Sequence, residues 1–182
     1  MEELEISLED QMETIHHHAE HTQERWLLWC ALISAVLAVS AAISGLYASH
    51  YANEAMLEQM HATDHWGYYQ AKGIKAMITE MRSETAPSAA LKEKLEAYKK
   101  EQERIREQAS EEELQVQILM HKHELLAKAV TAFQVAIAVT AMSAITRRKH
   151  FLWLTFILAL LGIFFSTGAV LVGSGGLGFI FT

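Results

Sequence analysis

Three uninterrupted apolar runs constrain this chain more than any other feature: Leu27–Ala48, Leu125–Ile145 and Phe151–Val172. Each is 21 or 22 residues long, and about 20 helical residues cross a hydrocarbon core of ~30 Å. The first and third runs carry no charge, and the second carries only Lys128, close enough to its end to snorkel toward headgroups. The mean hydropathy of the whole chain is nonetheless only +0.10, because the remainder is densely charged. Such a partition predicts an all-α, three-span integral membrane protein.

The bulk numbers exclude some partners. Net charge is −7, and the basic footprint of a nucleic-acid binder is missing. Cys30, inside the first run, is the sole cysteine, so no intrachain disulfide forms and the redox compartment is not readable. The first run is expected to be a retained span and not a cleaved leader. Its flank holds Glu2, Glu3, Glu5, Glu9, Asp10, Glu13, Glu20 and Glu24 against a single basic Arg25, whereas a leader starts basic and has a shorter apolar core. The short loop 146–150 carries Arg147, Arg148 and Lys149. The positive-inside rule then places this loop and the amino terminus in the cytoplasm, with segment 49–124 on the other side.

Segment 49–124 reads as a long antiparallel helical hairpin outside the membrane. Pro87, the only proline, lies near its midpoint within the small, polar stretch 83–89, and proline disfavours helix at the residue before it. Good helix formers fill both flanks. Nearly equal arms return both ends to one membrane face. The second arm has a coiled-coil-like seam at Leu91, Leu95, Tyr98, Gln102, Ile105, Ala109, Glu112, Val116, Leu119 and His123, spaced alternately by four and three. The first arm shows two adjacent seams. One is Ala52, Met56, Gln59, Thr63, Trp66, Gln70, Gly73 and Met77; the other is Asn53, Leu57, Met60, Asp64, Gly67, Ala71, Ile74, Ile78 and Met81. One seam suffices for a two-helix hairpin, so the surplus predicts a second neighbour, most simply another copy of the chain. A single helix is expected from about Trp26 to about Arg82. Small residues at Ser34, Ala38 and Ala42 and at Ala132, Ala136, Thr140 and Ala144 are expected to let spans approach closely. Residues 1–26 form an acidic, His-rich segment with Leu4, Leu8, Met12, Ile15 and Ala19 at helical spacing, and 173–182 is a glycine-rich tail.

The stretch Asn53–Gln59 and then Ala62–Lys75, with its Trp66-Gly67-Tyr68-Tyr69-Gln70-Ala71-Lys72 core, resembles a bacterial membrane-protein family catalogued as domain of unknown function 4337. The acidic His-rich start and the three-span layout are similar to that family too. The resemblance implies a multi-pass protein of the bacterial inner membrane. It implies no activity, cofactor or functional residue.

Three groups are candidate sites. Glu13, His17 and His21 fall four residues apart on one helical face, a spacing that suits a divalent metal, although a closed zinc site needs about four ligands. Hairpin register brings His50 level with His121 and His123, as a second metal or proton-linked candidate, and brings His61 and His65 toward Glu112 and Glu113. The bland reading of all these histidines is a solvated polar face. Leu57, Met60, Asp64, Trp66, Gly67, Tyr68, Ala71, Ile74 and Ile78 form the candidate oligomer interface, with Asp64–Tyr68 and Tyr68–Lys72 as pairs one turn apart. Gln134 is the one strongly polar intramembrane side chain, and such residues bridge helices more often than they line pores. No nucleophile–base pair, phosphate loop or metalloprotease motif occurs, so no enzyme is expected and no cofactor beyond the candidate divalent metal. The expectation is a structural or scaffolding homo-oligomer in the bilayer. The alternative is an oligomeric channel or transporter with metal- or proton-sensing histidines.

Overall fold

The computed structural model describes residues 2–172, with side chains from Arg25 onward. It is all-helical. Helix α1 spans Glu2–Thr85, α2 spans Ala89–Thr146 and α3 spans Lys149–Leu171. All three are long and apolar enough to cross a membrane. The glycine-rich tail lies outside the described residues.

The helix ends follow local chemistry. Pro87 cannot donate a backbone hydrogen bond, so α1 closes with the Ala86 N–H on the Arg82 carbonyl at 2.9 Å. The Ser88 carbonyl then accepts the N–H groups of Leu91 and Lys92 and opens α2. Between α2 and α3 the break is shorter than the expected loop 146–150. Only Arg147 and Arg148 are non-helical, and Lys149 already begins α3. Arg147 takes the left-handed conformation, φ 55°, and its N–H caps the Ser143 carbonyl at 2.9 Å. A non-glycine residue there stores on the order of 1 kcal/mol of strain.

The chain divides into two compact units. The apolar unit contains the start of α1 through Leu46 together with Leu125–Gly168. Leu37, Ala41, Ala129, Phe133 and Ala136 form its core, and Ile33, Ile137, Leu158, Ala159 and Phe165 pack against them. The Phe133 ring occupies the space a side chain at Gly162 would need, since a Cβ there would meet the ring at 2.5 Å. Hydroxyls pair inside the bundle: Thr140 with Thr155 at 3.1 Å and Ser44 with Ser166 at 3.2 Å. The Trp26 indole N–H donates to the Ser143 carbonyl at 3.3 Å.

The faces differ in part from those the sequence suggests. On α2, Ala132, Ala136 and Thr140 are buried and Ala144 is half-buried. On α1, Ala38 and Ala42 are exposed and Ser34 is only half-buried; the buried positions are Cys30, Leu37, Ala41 and Ser44. A small residue is inward only where the opposing helix needs the space, and Leu37 fills the space beside Phe133 better than Ala38.

The second unit, Tyr47–Glu124, is polar. Every member of the α2 seam from Leu91 to His123 is buried or half-buried, with Ile105 and Ala109 at its centre. The α1 side is a correction. Neither apolar seam as a whole faces α2; of their members only Ala52, Trp66 and Gly73 are half-buried. The buried positions of α1 are Ala48, Ala55, Ala62, Lys72 and Ala76, joined by half-buried Tyr51, Glu58, His65, Tyr69, Thr79 and Ser83. These repeat by fours and threes on a third face. Alanine at 48, 55, 62 and 76, four of the five heptad positions with Tyr69 as the exception, lets helix backbones approach closely, and the larger Met, Leu and Ile side chains are turned away.

Candidate functional site

Polar contacts hold the alanine seam together. Glu80 pairs with Lys99, Lys72 with Glu101, the Tyr69 carbonyl with Gln102, His65 with Glu112, Trp66 with Glu113, and the Ala48 carbonyl with His123. As the α1 number falls from 80 to 48, its partner on α2 rises from 99 to 123.

Lys72 is the centre of this seam. Its Nζ lies 2.6 Å from Glu101 Oε2, 5.1 Å from the Tyr68 ring centroid and 5.4 Å from that of Tyr98. The Tyr68 hydroxyl donates to the other Glu101 oxygen at 3.1 Å. Hydrogen bonding to Glu101 raises the Lys72 pKa above its ordinary value, with burial opposing. The same bond lowers that of Glu101, again against burial. Both groups stay charged at neutral pH, so the buried ammonium is neutralised in place and flanked by two aromatic faces. Below it, Gln102 reaches the Tyr69 carbonyl at 3.5 Å. It crosses directly over Gly73, where a Cβ would meet its Nε2 at 2.8 Å. That glycine is explained by its neighbour on α2.

Gly67 is not explained that way. A Cβ on Gly67 would meet nothing within 4 Å. Glycine in a helix interior costs about 1 kcal/mol relative to alanine, and nothing in the described chain offsets it. Gly67 sits in a continuous exposed stripe, Leu57, Met60, Asp64, Gly67, Ala71, Ile74, Ile78 and Met81, flanked by exposed Met56, Tyr68 and Met77. Eight of the nine candidate interface residues therefore share one open surface. Trp66 departs from it: it is half-buried, its indole N–H donates to Glu113 at 2.8 Å, and its ring stands edge-on to Tyr69 at 5.5 Å. Tyr68 lies at the edge, its ring exposed and its hydroxyl committed to Glu101. Tyr68 therefore bonds Glu101 and not Asp64, which is exposed.

The histidines do not gather. Among the described residues no group of three or more His, Cys, Asp or Glu side chains is placed to hold a metal ion. His123 Nδ1 donates to the Ala48 carbonyl at 2.9 Å. His50 is exposed, 3.8 Å from Glu54 on its own helix, and His121 is half-buried. His123 and His50 are instead directed to separate partners. His65 Nδ1 does reach Glu112 at 2.8 Å, while His61 is exposed. The side chains of Glu13, His17 and His21 fall outside those described.

Sequence reasoning missed Lys72 as a buried cation, Glu101 as its partner and the alanine seam. The signal was present as Ala48, Ala55, Ala62 and Ala76 in one register, but alanine carries little hydrophobic weight beside Met and Ile.

Residues 26–172 match the model of one family, a domain of unknown function (DUF4337). The chain belongs to the DUF4337 family. No curated protein and no solved structure matches it. The matched segment begins at Trp26 and takes in both units described above, so the alanine seam, the Lys72 cluster and the exposed stripe all lie inside the DUF4337 region.

Proposed function

We propose that this DUF4337 protein is a structural homo-oligomer of the bacterial inner membrane whose copies join through the exposed α1 stripe. The observation that carries the reading is Gly67, open on its outer side within an exposed repeat from Leu57 to Met81 that is apolar except at Asp64. The three apolar runs cross the bilayer. Residues 49–124 stand outside it as an antiparallel hairpin, supported by the opposite run of partner numbers from Glu80–Lys99 to Ala48–His123. Arg147, Arg148 and Lys149 mark the cytoplasmic side together with the amino terminus. Labelling of cysteines introduced as Ser7→Cys and Ser88→Cys, on a Cys30→Ser background in intact cells, tests this layout. The two are expected on opposite faces, and reaction from one face refutes it.

Membrane insertion fixes the direction of every copy, so helices of neighbouring copies meet in parallel, each residue near its own counterpart. The 4-3 repeat suits that arrangement. Burying Leu57, Met60, Ile74, Ile78 and Met81 contributes roughly 1.5–3 kcal/mol each, on the order of 10 kcal/mol gross before association and ordering costs. Gly67 and Ala71 allow close approach, and Asp64 limits which assemblies form because like charges meet there. Native mass spectrometry in a mild detergent tests the reading. Oligomers are expected, and a spectrum of monomer alone removes it. Single-channel currents from purified protein in liposomes would replace the scaffold with a pore.

A further inference from the structure

Gln134 is the only amide side chain in the three apolar runs, and it stands at the middle of the second, ten residues from either end or nearly so. At 1.5 Å per residue that is about 15 Å of hydrocarbon in each direction, beyond the reach of a glutamine side chain. It makes no bridge to another helix among the described residues. Gln134 is exposed and makes no hydrogen bond among the described residues. Most other hydroxyl side chains of the same runs are satisfied internally. Thr131, Thr140 and Ser40 donate to the carbonyl four residues back at 2.8–3.0 Å, and Ser44 pairs with Ser166. In hydrocarbon there is no water to take up the free amide, and leaving it unpaired is costly.

The surface around it also differs from that of α3. Exposed positions on α3 include Trp153, Phe156, Ile157, Leu160 and Phe164. Around Gln134 the exposed neighbours one and two turns away are Thr131, Ala138, Ala141 and Met142, with Val135 beside it. Large side chains suit lipid, whereas small ones flanking an amide let another helix backbone approach until a hydrogen bond forms.

We infer that the Gln134 face of α2 docks against the same face of a second copy within the bilayer, through a Gln134–Gln134 carboxamide pair. The occupant follows from chemistry and depth. A carboxamide holds both donors and an acceptor, so it is its own complement. Copies inserted in one direction hold Gln134 at one depth, where no lipid tail offers a hydrogen bond. This contact rests on the reading of the second apolar run as a membrane span, and it is separate from the α1 stripe, which lies on another helix.

Oxidative cross-linking of single cysteines in liposomes of the purified full-length chain tests it, on a Cys30→Ser, Ile74→Glu, Ile78→Glu background that removes the stripe contact. Ala138→Cys and Ala141→Cys are expected to form disulfide-linked dimers, while Ile157→Cys and Leu160→Cys, on the large-residue face of α3, are not. Fluorescence energy transfer between labelled copies should show association weakened about 3- to 30-fold by Gln134→Leu and largely restored by Gln134→Asn. Equal cross-linking at the four positions, an unchanged affinity for Gln134→Leu, or cross-links to another protein in cell membranes with none in liposomes would each overturn it.

Discussion

Ile74 and Ile157 are equally open to their surroundings, at 60% and 61% exposure, yet the two exposures mean opposite things. Ile157 belongs to an apolar run whose solvent, in the arrangement proposed here, is lipid, and its exposure there is at no cost. Ile74 lies in the polar unit among Lys, Glu and Gln, where exposed apolar area favours association. The reverse holds for glutamines. Gln59 and Gln70 on α1 are exposed in the polar unit and need no partner but water, whereas Gln134 is exposed in the apolar unit and needs protein. Which residues demand a neighbour is therefore set by the medium around each unit, not by exposure itself.

The largest effect is expected where that contrast is sharpest. Changing Ile74 and Ile78 together to Glu should reduce the stripe-dependent oligomer to a species without that contact, by size-exclusion light scattering in mild detergent, with helicity by circular dichroism unchanged. Charges at two adjacent turns forfeit several kcal/mol of burial and add repulsion. Ile157→Leu, at equal exposure in the apolar unit, should change nothing. Equal effects of the two would break the comparison.

A second test separates the inward and outward faces of one helix. Ala62 is 0% exposed, so Ala62→Leu overpacks the seam and should destabilise the polar unit by about 1–3 kcal/mol, read as faster hydrogen exchange across 47–124. Ala71→Leu, about two and a half turns away on the open stripe, should leave exchange within a monomer unaltered. Its effect should fall on association instead.

Smaller still is Asp64→Asn. Asp64 sits in the stripe without a cation beside it among the contacts of the described residues, so parallel copies bring like charges together. Removing them should tighten association by on the order of 1 kcal/mol, about fivefold less dissociation, in an energy-transfer titration. Looser association would mean that Asp64 is paired across the interface.

The smallest expected effect is a plateau. Lys72 has its pKa raised from 10.5 and Glu101 has its lowered from 4.5. The stability from the Lys72 side is complete below about 10.5 and is lost as pH rises through the raised value. That from Glu101 is complete above about 4.5 and is lost as pH falls through the lowered one. The contact should therefore contribute equally throughout the interval between them. Glu101→Gln should lower thermal stability by the same increment at pH 6 and pH 9. An increment that changes between those values would place a different titrating group at the seam.

Much of the fold is legible because it is written locally. Run length and lack of charge define three spans, and Pro87 with its small polar neighbours ends α1 within two residues of where proline chemistry requires. The exposed stripe is legible for the same reason, since Leu57, Met60, Ile74 and Ile78 are large and regularly spaced. Gly67 stood in that register, although only the open space beside it shows that its cost is not offset within the chain. Of the histidine groupings, His65 reaches Glu112, whereas His50, His121 and His123 do not converge, because a shared level along two helices does not aim side chains at one point and His123 found the nearer Ala48 carbonyl.

The sequence alone determined the number of long helices and the break at Pro87, because hydrophobic length and backbone propensity are properties of contiguous residues; it did not determine the start of α1, which lies at Glu2 and not near Trp26. Only the tertiary structure decided which face turns inward. Three heptad registers compete on α1 between residues 48 and 83, and hydrophobicity ranks the alanine register last. It is the inward one because alanine brings the α1 and α2 backbones close enough for Lys72 to meet Glu101 and for Gln102 to cross Gly73. That preference depends on a partner helix far along the chain and leaves no trace in the local pattern.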